Sequence, residues 1–179
     1  MEADWAVEVG AGLPEVHVPW EGFVDLRHAQ PDLDTIAEAA RFPALARALA
    51  TLNGESSPVF TAKCDVWSMA ADEIDPDEFA ARPEDAICGL ASYIDVIERD
   101  PAKMASFEFH ERHVRRLVDD LRALPLRNGR ADLVIRAAAV EGREGYAITL
   151  YAAGCGSDAG HAATGWEAVL AAAVLASTK

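Results

Sequence analysis

Two short stretches of this chain carry residue types that can do chemistry. In Phe107-Glu108-Phe109-His110-Glu111-Arg112-His113, His110 and His113 stand three residues apart, which places two imidazoles on one side of a helix, as in metal-binding pairs. Two ligands do not complete a metal site. A third would have to come from elsewhere, such as Cys155, Asp158 or His161, and no spacing brings these to the pair. His110 also falls between Phe107 and Val114 in an apolar stripe, so a core-edge histidine with one hydrogen bond is the plainer expectation.

The second stretch, Ala153 to His161, reads as a strand end, a glycine-rich turn and a helix N-terminus. Free backbone N–H groups and the helix dipole converge at such a place. Cys155, Gly156, Ser157, Asp158 and His161 therefore form a candidate anion or ligand site, one that could lower the pKa of a thiol. Cys155 and His161 would then act as nucleophile and base. Against this, the glycines do not fit G-x-G-x-x-G, no Walker lysine follows, and Ser157 or Asp158 serves equally well as a helix cap.

Other charged groups are expected to be solvated. The run from Asp72 to Asp85 holds seven carboxylates but lacks the sixth-position glycine and final glutamate of a calcium loop. Asp25 and Asp95 alternate away from apolar neighbours in strand-like segments, which predicts exposure to water. Arg112, Arg115, Arg116 and Arg122 gather on one helix and continue to Arg127 and Arg130, with Glu108, Glu111, Asp119 and Asp120 among them to neutralise the charge.

These residues need a scaffold, and the periodicity predicts one. Val16 to Arg27 reads as a strand with an irregular lead-in, and Pro31 opens a helix that Pro43 breaks before a second stretch runs to Asn53-Gly54. Val59 to Trp67 alternates, with Phe60, Ala62, Cys64 and Val66 sharing one face. A long, partly ordered acidic connection from Ala70 to Ala86 precedes a strand over Ile87 to Ile97. Asp100-Pro101 then caps a single helix reaching Leu124. Ala131 to Val140 and Tyr146 to Ala153 form a hairpin across residues 141–145, and the last helix presents Trp166, Val169, Leu170, Ala173 and Val174.

The order is β-α-β-β-α-β-β-α: an α+β two-layer sandwich, with a mainly antiparallel sheet and helices packed on one face. Phe23-Val24-Asp25-Leu26 before Pro31 resembles Tyr93-Ile94-Asp95-Val96 before Pro101, and Ile148-Thr149-Leu150-Tyr151 is a weaker third copy. A single domain over 1–179 with ββα-type repeat units at 16–54, 59–128 and 131–179 would account for this.

Composition narrows the partners. The chain has 179 residues with 30 acidic against 16 basic side chains, a net charge of -14, and 51% hydrophobic residues. That apolar fraction is too high for a disordered chain, and the balance disfavours nucleic acid and anionic membranes, which draw on surplus Lys and Arg. Three widely spaced cysteines without a C-x-x-C pair read as free thiols. With acids where a secretory leader would be basic, the expected location is cytoplasmic; the alanine-rich composition is of bacterial type. No cofactor motif is present. The expectation is a small acidic binding or interaction protein without catalysis, its partner another protein or a second copy meeting it at sheet edges or at a surface bearing Trp5, Trp20 and Trp67. The alternative is an enzyme or small-ligand domain with its site at Cys155–His161.

Overall fold

Period-two and helix-period stripes converge on one mixed sheet. The computed structural model describes residues 1–27 and 33–178, and within them the fold is α+β, with six strands and five α-helices. In chain order these are β1 (Glu2–Glu8), β2 (Val16–Val18), α1 (Ala37–Arg41), α2 (Pro43–Asn53), β3 (Val59–Met69) and β4 (Cys88–Glu98). They are followed by α3 (Pro101–Met104), α4 (Phe107–Arg122), β5 (Gly129–Val140), β6 (Arg143–Gly156) and α5 (Ala159–Ser177). The strands lie in the order β1-β5-β6-β4-β3, with β2 also paired to β5. The pairs β3–β4, β4–β6 and β6–β5 are antiparallel, whereas β1 and β2 are parallel to β5.

The main core fills one side of this sheet. Leu45, Leu49 and Leu52 of α2, Val114, Leu117 and Leu121 of α4, and Trp166, Val169 and Leu170 of α5 pack with Ile94, Leu133, Ile135, Ile148 and Leu150. Trp166 is almost fully buried, and its indole N–H donates to Ser92 Oγ at 2.8 Å, which ties α5 to β4. A buried indole without a partner would carry a desolvation penalty, so this bond fixes which way the ring points. Gly154 makes the close approach possible: a Cβ there would lie 2.1 Å from the Trp166 backbone nitrogen.

Several expectations need correction. The chain opens with β1, which the expected order omitted. Phe23–Leu26 is not a strand; the strand of the Val16 to Arg27 segment is confined to β2, and Val24 and Leu26 instead pack into the main core and Phe23 into a second cluster. Pro31 and Asp32, the expected helix opening, lie outside the described residues, and a 3-10 turn at Leu33–Thr35 precedes α1. The expected helix after Pro101 is two helices, because Ser106 starts a new one by accepting from the Phe109 N–H at 3.2 Å.

The β5–β6 hairpin turns in two residues instead of five: Glu141 and Gly142 both take positive φ, 52° and 79°, the geometry that matches the strand twist. β3 does not keep one apolar face. An extra residue between Thr61 and Cys64 reverses its alternation, so Phe60 and Ala62 join the second cluster while Cys64 and Val66 border the main core. The helices do not all serve one face either, since Met104 of α3 packs with Phe60, Ile97, Ala138 and Ala147 in that second cluster. The acidic connection is built of three 3-10 turns, and Asp75 caps one of them by accepting from the Asp77 N–H.

Candidate functional site

Strand alternation turns every second residue of β1, β3, β4, β5 and β6 away from the main core, and these positions form a second face. Its two ends are covered. At one end Ile74, Phe79 and Ala86 of the acidic connection pack over Cys155. At the other, Val16, Val18, Phe23 and Met104 cover Ile97, Ala138 and Ala147; Trp20 donates from its indole to the Ala62 carbonyl, and the Arg27 guanidinium sits 4.8 Å from the Phe60 ring centre.

Between the covers runs a row of directly paired residues, Asp4–Asp132–Tyr151–Tyr93–Asp65, one from each of β1, β5, β6, β4 and β3. The Tyr93 and Tyr151 rings lie 6.0 Å apart, and Trp67, 38% exposed, lies 6.4 Å from Tyr93. Two arginines flank the row. Arg130 is held by Asp132 and Glu78, each at 2.6 Å, and Arg136 by Glu8 at 2.7 Å and by Glu15. Arg136 also donates to the Tyr151 hydroxyl at 3.3 Å. Asp4 faces Arg122 at 3.8 Å, but with Arg130 and Arg136 each matched by two carboxylates and Asp65 added, the strip keeps an excess of negative charge.

Asp95, two residues along from Tyr93, was expected in water, yet it is 5% exposed. It points to this second face as the alternation predicts, but the cover at that end shields it. Thr149, directly across, donates its hydroxyl at 2.6 Å. Burial raises its pKa above the usual carboxylate range; the Thr149 bond and the charges of Lys63 and Arg136 pull it back, and Glu15 pushes it up. Burial likewise raises the Tyr93 hydroxyl, with Asp95 and Asp65 adding to the shift.

The residues singled out from the sequence fall elsewhere. His110 is fully buried with Nδ1 2.9 Å from the Ser106 carbonyl, and burial lowers its pKa. His113 stacks on Phe109 and accepts from Arg116 at 3.1 Å; burial first, then the Arg116 charge, bring its pKa down to about 4. The two rings thus take different partners, and among the described residues no three His, Cys, Asp or Glu side chains are grouped to hold a metal ion.

Cys155 and His161 are separated by the sheet itself. Gly154 and Gly156 press against α5, where a Gly156 Cβ would meet His161 Cβ at 2.6 Å, so Cys155 between them turns to the opposite face. Its thiol is fully buried and raised by burial, the reverse of an activated nucleophile. Asp158 is the helix cap: it accepts from the His161 N–H at 2.9 Å and pairs with the ring at 2.7 Å, and Ser157 lies 3.4 Å from the same nitrogen. The turn is a close strand-to-helix packing joint.

The arginines of α4 are met within the chain. Arg112 pairs with Glu108 and Arg115 with Glu111, both at 2.8 Å, and Arg115 also lies over Trp5. The acidic connection meets Arg130 of the same chain through Glu78.

Tyr93, Tyr151 and Asp132 were not singled out from the sequence as functional residues, whereas Trp67 was, together with Trp5 and Trp20, as a contact surface. The available signal was the alternate positions of three strands, Arg130-x-Asp132, Tyr93-x-Asp95 and Thr149-x-Tyr151, which hold aromatic and charged groups where solvent-facing residues are expected. No protein-family model matches the chain, and neither a curated protein nor a solved structure does so.

Proposed function

We propose that this protein binds a basic, Lys- and Arg-rich protein segment along the strip between the two covers of its second sheet face. The observation that carries the reading is the row Asp4–Asp132–Tyr151–Tyr93–Asp65, where two adjacent tyrosine rings are flanked by carboxylates across five strands. A cation over an aromatic ring contributes roughly 0.5–2 kcal/mol depending on desolvation, and carboxylates beside the rings add directed charge. The net charge of -14 steers such a partner towards the molecule.

The chemistry of the strip favours binding over turnover. Asp95 is the one carboxylate of the face that is buried and shifted upward, and its Oδ1 is occupied by Thr149. A second copy of the chain is a poorer occupant, because two acidic strips repel when they meet face to face. Titrating a lysine- and arginine-rich peptide into the protein by calorimetry tests the reading, with a neutral peptide of equal length as control. Binding of the basic peptide that weakens as salt rises supports it. Equal heats from both peptides, or none, reject it.

A further inference from the structure

A small cavity lies on the core side of the sheet, away from the strip, where β4, α4 and the end of α5 meet. Glu98, His110, His113 and Ser177 line it, with Val96 and Leu150 among its apolar walls. Its volume of about 10 Å³ suffices for the centre of one water molecule.

Two buried polar atoms without a hydrogen-bond partner, Glu98 Oε2 and His110 Nε2, belong to residues lining this cavity. Glu98 is 6% exposed and His110 0%. Leaving either group unpaired in the interior is costly, so two in one cavity call for a shared partner.

The protonation pattern follows from the surrounding bonds. His110 Nδ1 faces the Ser106 carbonyl, which can only accept, so Nδ1 carries the proton and Nε2 of the neutral ring is an acceptor. Ser177 spends its own hydroxyl proton on the Ala173 carbonyl at 2.9 Å, leaving oxygen lone pairs. Burial favours the neutral acid at Glu98, against the pull of Lys103 and with the push of Asp100. It also favours the neutral imidazole at His110, against the pull of the Ser106 and Tyr146 carbonyls, and its neighbour His113 is itself held neutral beside Arg116.

We propose that this cavity is a binding site for a single water molecule that links Glu98 Oε2 to His110 Nε2. The water accepts from the Glu98 hydroxyl, donates one hydrogen to His110 Nε2 and gives the other to Ser177 Oγ. Every donor then has an acceptor, and β4, α4 and α5 are joined at one point.

Two measurements on the full chain test the site. Nitrogen-15 spectra of the wild-type histidines at neutral pH are expected to show His110 as the Nδ1–H tautomer with an acceptor Nε2; a charged ring or the Nε2–H tautomer overturns the proposal. Oxygen-17 relaxation dispersion counts long-lived internal waters. Glu98→Leu is expected to lose one and Glu98→Gln, which keeps a donor, to retain the wild-type number. An unchanged count in a folded Glu98→Leu overturns the proposal. Should that variant fail to fold, the wild-type spectrum still decides.

Discussion

Tyr93 and Tyr151 face one another across β4 and β6, paired residue to residue with ring centres 6.0 Å apart, on the side of the sheet away from the main core. Neither ring is needed to fill that core. Their place between Asp65 and Asp132 gives the strip both apolar surface and charge.

Tyr151→Ala should therefore weaken binding of a basic peptide about ten-fold, the size of a well-formed cation–π contact, and Tyr93→Ala should act similarly. Calorimetry reads the affinity. Circular dichroism melts should move little, because neither residue is fully buried.

Asp132→Asn should flatten the salt dependence of binding. The substitution removes a charge from the row and loosens Arg130, so less attraction remains for ions to screen within a Debye length of about 8 Å. Affinity measured at several ionic strengths checks this, and an unchanged slope would place the bound cation elsewhere.

The core side of the sheet was legible in the sequence because its alternation is apolar: Ile94 and Val96, Leu133 and Ile135, and Ile148 and Leu150 announce strands, and Val114 to Leu121 announce a helix. The edges were not. β1 alternates as well, but its apolar Ala3 and Trp5 are interleaved with the acids Glu2 and Asp4, and its pairing with β5 is parallel and joins residues more than a hundred positions apart. Phe23–Leu26 imitates a strand locally, yet its apolar residues divide between two clusters instead of sharing a face. The bulge in β3 is a tertiary feature that no local pattern marks.

The candidate site was missed for a related reason. A row across five strands depends on register, which the sequence of any one strand does not contain. His110 could be read as a core-edge residue from its stripe, whereas its meeting with Glu98 required the helix to be docked on the sheet.

Gly154→Ala should destabilise the fold by at least about 3 kcal/mol, since a methyl group 2.1 Å from the Trp166 nitrogen forces β6 and α5 apart. Urea unfolding gives the value. A loss below roughly 1 kcal/mol would mean that the joint is looser than the geometry requires.

Thiol reactivity separates the three cysteines. Burial pushes the Cys64 thiol up to about 12, helped by the fields of Glu38 and Asp65, and also raises fully buried Cys155. At pH 8 the folded protein should alkylate first at partly exposed Cys88, with Cys64 and Cys155 protected until denaturant is added. Mass spectrometry after brief iodoacetamide treatment reads the order. Fast labelling of Cys155 would revive it as a nucleophile.

Asp95 gives stability a pH dependence with a defined sign. Its folded pKa is raised, so the native state binds the extra proton, and its contribution to stability is lost as pH climbs from 3.8 through the folded value. Asp95→Asn keeps an acceptor for Thr149 and removes the charge. The variant should gain on the wild type across that window, by denaturant midpoints measured from pH 4 upward; a gain that shrinks with rising pH would contradict the assignment.

The most direct test of the central claim is a nuclear magnetic resonance titration of the isotope-labelled protein with a lysine- and arginine-rich peptide. The account predicts saturable shifts centred on Asp65, Tyr93, Asp132 and Tyr151, with α4 and α5 unmoved. Shifts centred on the helices, or none at peptide excess in low salt, would contradict it.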